Sequence, residues 1–543
     1  MAPSWDETAD LICVGSGLAG VAAALAAADA GMDALLLEKS DQLGGSTAHS
    51  YGILWVPNNH LEKAQGVADD AGTSRRYMRW LGGERQSAEH VETYVEDAPR
   101  VLEYFQRTGD IPFYPIALSD HYYPVGEGST EFGRSIQVEP FEAHSLGEWQ
   151  PKLRHSKYVE RITWEEMKAW GGRANERGWD HTLIAQRDAA DVRTFGAGLI
   201  GHFVRAALAK GVRIRTGSGV ERLVVEDGAV LGVVGAGKAI RARHGVILGT
   251  GLYGANERLV SWFDEFPPMP TYREPSTSGG DGLIVAMEHG AGIQVQHGTL
   301  AIHLAYQVPG ETIEGVPSAR EVSIRELASP HSILVNLDGN RFCDESFFQG
   351  VDIRLREFDL WRHRHINLPC FIIFDHDFWD AYAIEPCEPG GPVPDWIASG
   401  DTPAEVASQL GIDAEQLERT VDRFNRFADA GRDEDFHRGE SIAWVAQAAG
   451  DLTKRKNQNL GPVRRPPFHG LHVFPSHTRS VGLVTDTNGQ VIHVRGHAIP
   501  GLYACGELAA QLHVGTGYQA GFTLTGAMTF GYRSVQHAKA MSC

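Results

Sequence analysis

Apolar residues run unbroken from Leu11 to Val14, and the run stops in Gly15-Ser16-Gly17-Leu18-Ala19-Gly20. A short continuous apolar run bounded by glycine predicts a strand buried on both faces. The Ala-rich segment Val21 to Ala30 reads as a helix and Gly31 ends it. Met32 to Leu37 reads as a second buried strand, closed by Glu38. This βαβ unit carries Gly-x-Gly-x-x-Gly at its first turn, the pattern that binds a dinucleotide. Gly15 permits the tight turn, Gly17 lets the backbone approach a pyrophosphate, and Gly20 lets the helix pack close to the strand. The pyrophosphate would sit on the N–H groups at the helix N-terminus, beside Ser16 and Ala19. Glu38 would accept from ribose hydroxyls, with Lys39 and Ser40 next to it.

Farther along, Gly44-Gly45-Ser46-Thr47-Ala48-His49-Ser50-Tyr51-Gly52 is a small-residue loop able to wrap a cofactor. A long, mostly helical insertion follows, broken by a loop from Pro112 to Arg154. Gly196 to Gly211 predicts an amphipathic helix leading to the alternating Val212 to Thr216. A strand over Val220 to Val225, the turn Glu226-Asp227-Gly228 and Ala229 to Val234 form a hairpin. Val246 to Gly249 reads as a short buried strand ending in Thr250-Gly251, which suits the second half of a dinucleotide fold. From about residue 290 the texture changes. Ser332 to Asn336, Cys370 to Phe374 and aromatic-rich helices indicate a separate lobe, and Asp401 to Gly431 is helical and charged, a solvated face. The β-rich character returns near Gly482-Leu483-Val484-Thr485-Asp486. Gly501 to Ala504 runs into Cys505-Gly506-Glu507, and a helix from about Thr523 closes the chain.

Composition narrows the class. The 543 residues, 42% hydrophobic and 22% charged, are enough for two or three domains of an ordinary soluble protein. A net charge of −20 argues against a nucleic-acid or anionic-membrane surface. Cysteines at 13, 343, 370, 387, 505 and 543 form no CxxC pair, so reduced thiols in a cytoplasmic protein are expected, without zinc, attached haem or a disulfide framework. No apolar run is long enough to span a bilayer. HExxH, clustered carboxylates and histidines at ligand spacing are all missing, so no metal site is expected.

The late Gly501-Leu502-Tyr503-Ala504-Cys505-Gly506-Glu507 return favours FAD over a nicotinamide, because FAD spans its domain and is gripped at both ends. At this point the chain resembles the fumarate reductase and succinate dehydrogenase flavoprotein superfamily, most closely its 3-ketosteroid dehydrogenase branch. The residues that carry the resemblance are Gly15 to Gly20, Gly44 to Ala48, Trp55-Val56-Pro57-Asn58-Asn59, and Tyr122-Tyr123-Pro124 with Gly133-Arg134. Gly279-Gly280-Asp281-Gly282, Asn336 with Gly339-Asn340-Arg341-Phe342, Gly506-Glu507 and Phe530-Gly531-Tyr532 complete the set. The resemblance implies an α/β chain: a discontinuous, Rossmann-like FAD-binding domain over 1–290 and 466–543, and an inserted α+β capping domain over 291–465. It also implies hydride transfer to or from flavin N5 where the two meet. Val220, Thr250, Gly251, Asp281, Thr523 and Leu524 join the cofactor contacts. Attachment is expected to be noncovalent, since Ser46 stands where succinate dehydrogenases carry a flavin-linked histidine; His49, close by, is the alternative.

The resemblance also says what is missing. Fumarate reductases place one arginine after the Arg-Phe-x-x-Glu segment and another in a glycine-rich motif before the last helix. Here those positions hold Gln349 (or Phe348) and Tyr518. Without both cations a dicarboxylate loses its bidentate clamps. Tyr518 instead resembles the ketosteroid dehydrogenases, where a tyrosine and a following backbone N–H, here of Gly521 or Phe522, bind the substrate ketone and stabilise its enolate. A tyrosine packed under the flavin is the structural alternative. Those enzymes carry their base near Gln349, so another tyrosine must serve: Tyr122, Tyr123 or Tyr51, with its pKa of about 10 lowered. His297 and His477 lie near positions that hold dicarboxylates in fumarate reductases, but without the arginines they read first as structural residues. Arg134 reads as structural or as a carboxylate ligand.

The sequence therefore predicts a noncovalent FAD enzyme that introduces a C=C bond α,β to a ketone in a cyclic substrate, either a 3-ketosteroid or a smaller cyclohexanone-type ring. An unknown electron acceptor takes up the electrons. The alternatives are an enone or enoate reductase of the fumarate reductase type, and a flavin-binding protein without turnover.

Overall fold

The computed structural model describes residues 4–156, 161–270, 275–296, 303–322, 326–382, 384–440, 450–454, 456–476 and 481–541. The first βαβ unit forms as its pattern requires. Glu7–Val14 pairs in parallel with Ala34–Leu37, and the helix Leu18–Asp29 connects them. That helix is buried all round from Leu18 to Ala27, because the helices Phe195–Ala209 and Phe522–Ala540 also pack on it. Alanine side chains make so close an approach possible.

The central sheet has eight strands. Along its main path run Gln490–Ile492, Ala498–Ala504, Lys238–Leu248, Glu7–Val14, Ala34–Leu37 and Arg213–Arg215. All of these pairs are parallel except the first. The hairpin Arg222–Glu226 and Ala229–Gly235 extends the sheet through Lys238–Leu248. A second, six-stranded antiparallel sheet comprises His303–Tyr306, Arg320–Glu321, Ser332–Asn336, Cys370–Phe374, Ala398–Gly400 and Phe468–Ser476. The fold is mixed α/β, and the late strand Ala498–Ala504 returns to the first sheet beside Lys238–Leu248.

Several expected elements need correction. The short strand expected at Val246 to Gly249 is the end of Lys238–Leu248, whose first half alternates in burial and pairs with the hairpin. The helix expected to be amphipathic from Gly196 spans Phe195–Ala209 and is buried on nearly every side between the first helix and the strands of the insertion. The segment read as a loop from Pro112 contains Phe113–Pro115 and Ser135–Val138, paired with each other, and Phe141–Glu142. The second sheet does not stop at 465. Its strand Phe468–Ser476 pairs with Cys370–Phe374 and His303–Tyr306. Asp401 to Gly431 holds two helices, Pro403–Leu410 and Ala414–Ala430; Val406, Leu417, Val421 and Phe424 bury one face against the second sheet while the charged face meets solvent.

Arg134 is structural. It is 1% exposed, holds Asp69 at 2.7 Å and Asp120 at 2.8 Å, and lies 5.2 Å from the Trp55 ring centroid. Asp120 in turn accepts the Trp55 indole N–H at 2.6 Å. Arg134→Gln is expected to strand two buried carboxylates and to cost about 3–5 kcal/mol of stability. Chemical denaturation with the flavin content monitored reads this directly; an unchanged midpoint would return Arg134 to the ligand-binding alternative. The five described cysteines are free, and no described helix is long and apolar enough to cross a membrane.

Candidate active site

A deep cleft opens at the C-terminal ends of the parallel strands, where Val14, Leu37 and Leu248 reach its wall. This is where open α/β sheets bind ligands. At one end it is lined by Gly15, Ser16, Gly17, Ala19, Glu38, Lys39, Gly45, Ser46, Thr47 and Gly52. Val220, Thr250, Gly251, Asp281, Gly506, Glu507, Gly521, Thr523 and Leu524 join them from distant parts of the chain. Gly20, Ser40 and Gly44, also expected at the cofactor, stand behind this wall. A Cβ at Gly20 would lie 1.9 Å from the Gly15 carbonyl oxygen, so Gly20 serves helix–strand contact. Gly44 donates its N–H to Ser16 Oγ at 3.0 Å, and Ser40 donates its N–H to Glu38 Oε1 at 2.8 Å.

The residues present fit an FAD. A Cβ built at Gly17 would meet nothing nearer than Thr47 Oγ1 at 3.7 Å, and one at Gly251 would meet nothing within 4 Å. Both therefore border open cleft, next to a helix whose N-cap Gly17 supplies no side chain. Unfilled space over helix N–H groups is what a pyrophosphate takes up. Glu38 lines the cleft and also holds the first turn. Its Oε2 accepts from the Ser16 N–H at 2.9 Å and the Ser16 hydroxyl at 2.6 Å, which ties the glycine turn to the second strand. Lys39 and Asp281 form an ion pair at 2.7 Å across the same end. Ser46 lines the cleft, whereas His49 is buried away from it.

At the other end the cleft is lined by Tyr51, Leu118, His121, Trp164, Met167, Arg173, His303, Glu321, Phe348, Tyr518 and Ala520. Tyr51, Tyr518 and Gly521, all named from the sequence, line this one cleft. Gly521 takes a φ of +97° as the N-cap of the last helix, Phe522–Ala540, where a Cβ would lie 2.3 Å from the Trp55 nitrogen. Phe522 donates its N–H to the Gln519 carbonyl at 3.2 Å, so of the two expected second donors it is Gly521 that stays with the cleft.

Tyr122 and Tyr123 are not on the cleft wall. The turn that carries them presents His121 instead. The Tyr122 hydroxyl donates to Gln349 Oε1 at 2.7 Å, and burial, with Asp352 nearby, pushes its phenol above the ordinary tyrosine value. Its hydroxyl is thus engaged with Gln349 and turned from the cleft. Gln349, fully buried, occupies the position of the missing arginine or tyrosine and acts as a brace. Its Nε2 lies 2.6 Å from His121 Nδ1 and donates to the Tyr518 carbonyl at 3.1 Å. The Ala520 N–H reaches His121 Nε2 at 3.3 Å, and burial pulls the ring's pKa down to about 3, so His121 is neutral. Its ring lies 5.8 Å from that of Tyr518, edge to face, and Phe348 lies 6.4 Å from the same tyrosine.

His121, Arg173, His303 and Glu321 were missed by the sequence reading. Only His121 carried a signal, its place beside Tyr122-Tyr123. His297 and His477 lie outside the described residues. Arg354 is half exposed and paired with Glu357 at 2.5 Å, and Arg356 holds Glu265 at 2.8 Å; neither stands on the cleft wall. Among the described residues His331, Asp375 and Asp377 bring ligand-type atoms within 4.8 Å of one another. Asp375 is already accepting four backbone N–H groups and Asp377 faces Arg465 at 2.9 Å, so both carboxylates are engaged within the protein.

A family model described as an FAD binding domain matches residues 10–524. A 3-oxosteroid 1-dehydrogenase of Mycolicibacterium smegmatis is 32% identical, over 96% of this chain and 96% of its own length. A 4-oxocyclohexanecarboxylate 2-dehydrogenase of Sinomonas cyclohexanicum is 31% identical, over 97% of this chain and 92% of its own. In three dimensions the chain is similar to the 3-ketosteroid delta1-dehydrogenase of Sterolibacterium denitrificans, solved with 1,4-androstadiene-3,17-dione, at a TM-score of 0.89 and 27% identity over 98% of this chain and 100% of that one. With the glycine cradle, the returning strand and these relatives in agreement, the chain belongs to the FAD-binding family of the fumarate reductase and succinate dehydrogenase flavoproteins and is an FAD-dependent oxidoreductase.

Proposed function

We propose that this protein dehydrogenates a cyclic ketone to the α,β-unsaturated ketone, with FAD held noncovalently in a domain built from both ends of the chain and the second sheet as its cap. The observation that carries the reading is Tyr518 and Gly521 together on the cleft wall, at the N-terminus of the last helix and beside the residues that fit the flavin. The Tyr518 hydroxyl and the Gly521 N–H would donate to the ketone oxygen. The positive end of the helix Phe522–Ala540 adds to their pull as enolate charge develops. Tyr51 is the one of the three candidate bases that lines the cleft, and takes the α-proton in this reading. Its ring stands edge-on to Phe195 at 5.4 Å, which fixes its direction. Held in this cleft, FAD would supply the hydride-accepting chemistry of the oxidation. Gln349 and His121 hold the Tyr518 segment in place, and Leu118, Trp164, Met167 and Phe348 exclude water from the ring.

Two relatives named for steroid and for cyclohexanone-carboxylate substrates bracket the ring size. Fumarate reduction lacks its two clamping arginines, and each missing charge-assisted contact forfeits about 1.5–3 kcal/mol. Steady-state assays with a dye as electron acceptor should give enone from at least one cyclic ketone, while fumarate with reduced dye gives no turnover. Acid should release free FAD. Fumarate turnover without ketone oxidation would replace this reading by the reductase; flavin retained on the denatured chain would point back to His49.

A further inference from the structure

We propose that this protein docks on the surface of a zwitterionic lipid bilayer through an apolar patch led by Leu360 and Trp361. The helix Phe348–Leu355 starts at the cleft and runs to a short hairpin, Phe358–Asp359 paired with Arg364–His365. At the hairpin tip Leu360 is 80% exposed and Trp361 99%, and Ile353 and Phe358 beside them are exposed too. The turn is fixed by its own contacts. The Asp359 carboxylate accepts the N–H groups of Trp361 at 2.8 Å and Arg362 at 3.0 Å, and the Phe358 ring stands edge-on to His363 and His365 at 5.4 Å each. A second exposed tryptophan comes from a distant part of the chain. Trp262 is 63% exposed near the end of the helix Glu257–Phe263. The Arg356–Glu265 pair at 2.8 Å and the 5.2 Å contact of Phe266 with His365 bring that segment against the hairpin. Large apolar side chains exposed together in this way mark an interaction surface.

Charge and composition say what covers the patch. Residues 257–266 and 353–365 carry five arginines and five carboxylates, so the patch is near-neutral in a chain of net charge −20. Its arginines are engaged: Arg354 with Glu357, Arg356 with Glu265, and Arg362 and Arg364 with Asp338, while Arg258 lies over the Trp262 ring at 5.3 Å. An acidic chain is repelled by anionic lipid, and a patch without surplus cations offers no compensating attraction. A zwitterionic surface demands neither. Tryptophan settles at the boundary between acyl chains and water, and arginine can lay its apolar stem along that boundary while its head stays wet. Leu360 and Trp361 project outward from a turn, a convex shape that a deformable surface takes up without a preformed pocket. The contact is peripheral, since no described helix is long and apolar enough to cross a membrane. It also bears on the cleft. Phe348 lines the cleft, and the eight residues of its helix, at 1.5 Å each, carry the chain about 12 Å towards the hairpin. Docking holds the substrate end of the cleft close to the bilayer, where apolar ring compounds collect.

The test is flotation of the FAD-loaded protein with phosphatidylcholine vesicles on a density gradient. It needs no turnover, so its outcome is independent of the dehydrogenase reading. The wild type is expected to float with the vesicles at low and high salt alike, and to float less when phosphatidylserine replaces part of the phosphatidylcholine. Leu360→Ser and Trp361→Ser together should lower the partition coefficient by at least about 10-fold, since each removes an apolar side chain that the bilayer would cover. Trp262→Ser should lower it by a smaller factor. Flavin content and far-ultraviolet dichroism should stay unchanged in all of them, because these exposed side chains support no core. A wild type that stays in the soluble fraction would overturn the inference, and so would flotation that the double variant leaves intact. Flotation that requires phosphatidylserine and disappears at high salt would replace it by charge-driven binding. Analytical ultracentrifugation without lipid tests the remaining occupant: a wild-type dimer that the double variant turns into a monomer would overturn the bilayer and assign the patch to a second copy of the chain.

Discussion

Gly17→Val is expected to yield a folded protein that cannot hold FAD. The space around Gly17 decides both halves of the outcome. A Cβ there meets only Thr47 Oγ1, at 3.7 Å, so the apo fold has room for a larger residue. That room borders the N-terminus of Leu18–Asp29, where a pyrophosphate must approach the backbone. A valine would hold the phosphates off the helix N–H groups. Losing even two charge-assisted contacts of about 1.5–3 kcal/mol each lowers affinity by about 10²-fold or more. Flavin absorbance per mole of purified protein measures retention, and far-ultraviolet dichroism measures the fold. Gly20→Val is the contrast. Its Cβ would lie 1.9 Å from the Gly15 carbonyl oxygen, so the first turn itself should fail. A Gly17→Val protein with full flavin would place the pyrophosphate elsewhere.

Tyr518→Phe is expected to keep its FAD and to lose about 10²–10³ in the rate of flavin reduction by a ketone, the usual cost of one oxyanion donor. The hydroxyl hydrogen bond strengthens as the carbonyl becomes an enolate, so its loss falls on the transition state more than on binding. The ring stays packed against His121 and Phe348, which preserves the wall. Stopped-flow absorbance gives the rate. Tyr51→Phe should be as damaging and should also remove the ionisation that limits activity on the acid side of the pH profile. Tyr122→Phe should do neither, because that hydroxyl serves Gln349. A Tyr518→Phe protein reduced at the wild-type rate would end the ketone-activation role. Equal sensitivity of Tyr122→Phe would restore it as the base.

The cofactor end of the cleft was legible because its signal is local. Glycines at fixed spacing between apolar runs admit few conformations, so Gly15 to Gly20, Glu38 and the late Gly506-Glu507 could be placed from sequence pattern and resemblance. The substrate end was only half legible. Tyr518 and Gly521 sit at a helix start, where the direction of the chain is set. The turn holding His121, Tyr122 and Tyr123 has no period to say which side chain faces the cleft, and the structure turns His121 inward and Tyr122 towards Gln349. Arg173, His303 and Glu321 come from an irregular segment and from two strands of the other sheet. Their meeting is a product of tertiary packing that no short window contains. Lys238–Leu248 escaped for another reason: its first half alternates because one face is exposed, so only the buried end read as a strand.

The central claim is that the cleft oxidises a cyclic ketone on its own flavin. Anaerobic mixing of the FAD-loaded protein with a panel of cyclic ketones, from steroid-sized to single-ring acids, tests it most directly. The account predicts that at least one ketone bleaches the flavin and yields one enone per flavin, with Tyr518→Phe slowed on the same substrate. A flavin that every ketone leaves oxidised, yet that fumarate reoxidises once it has been reduced by dye, would contradict it.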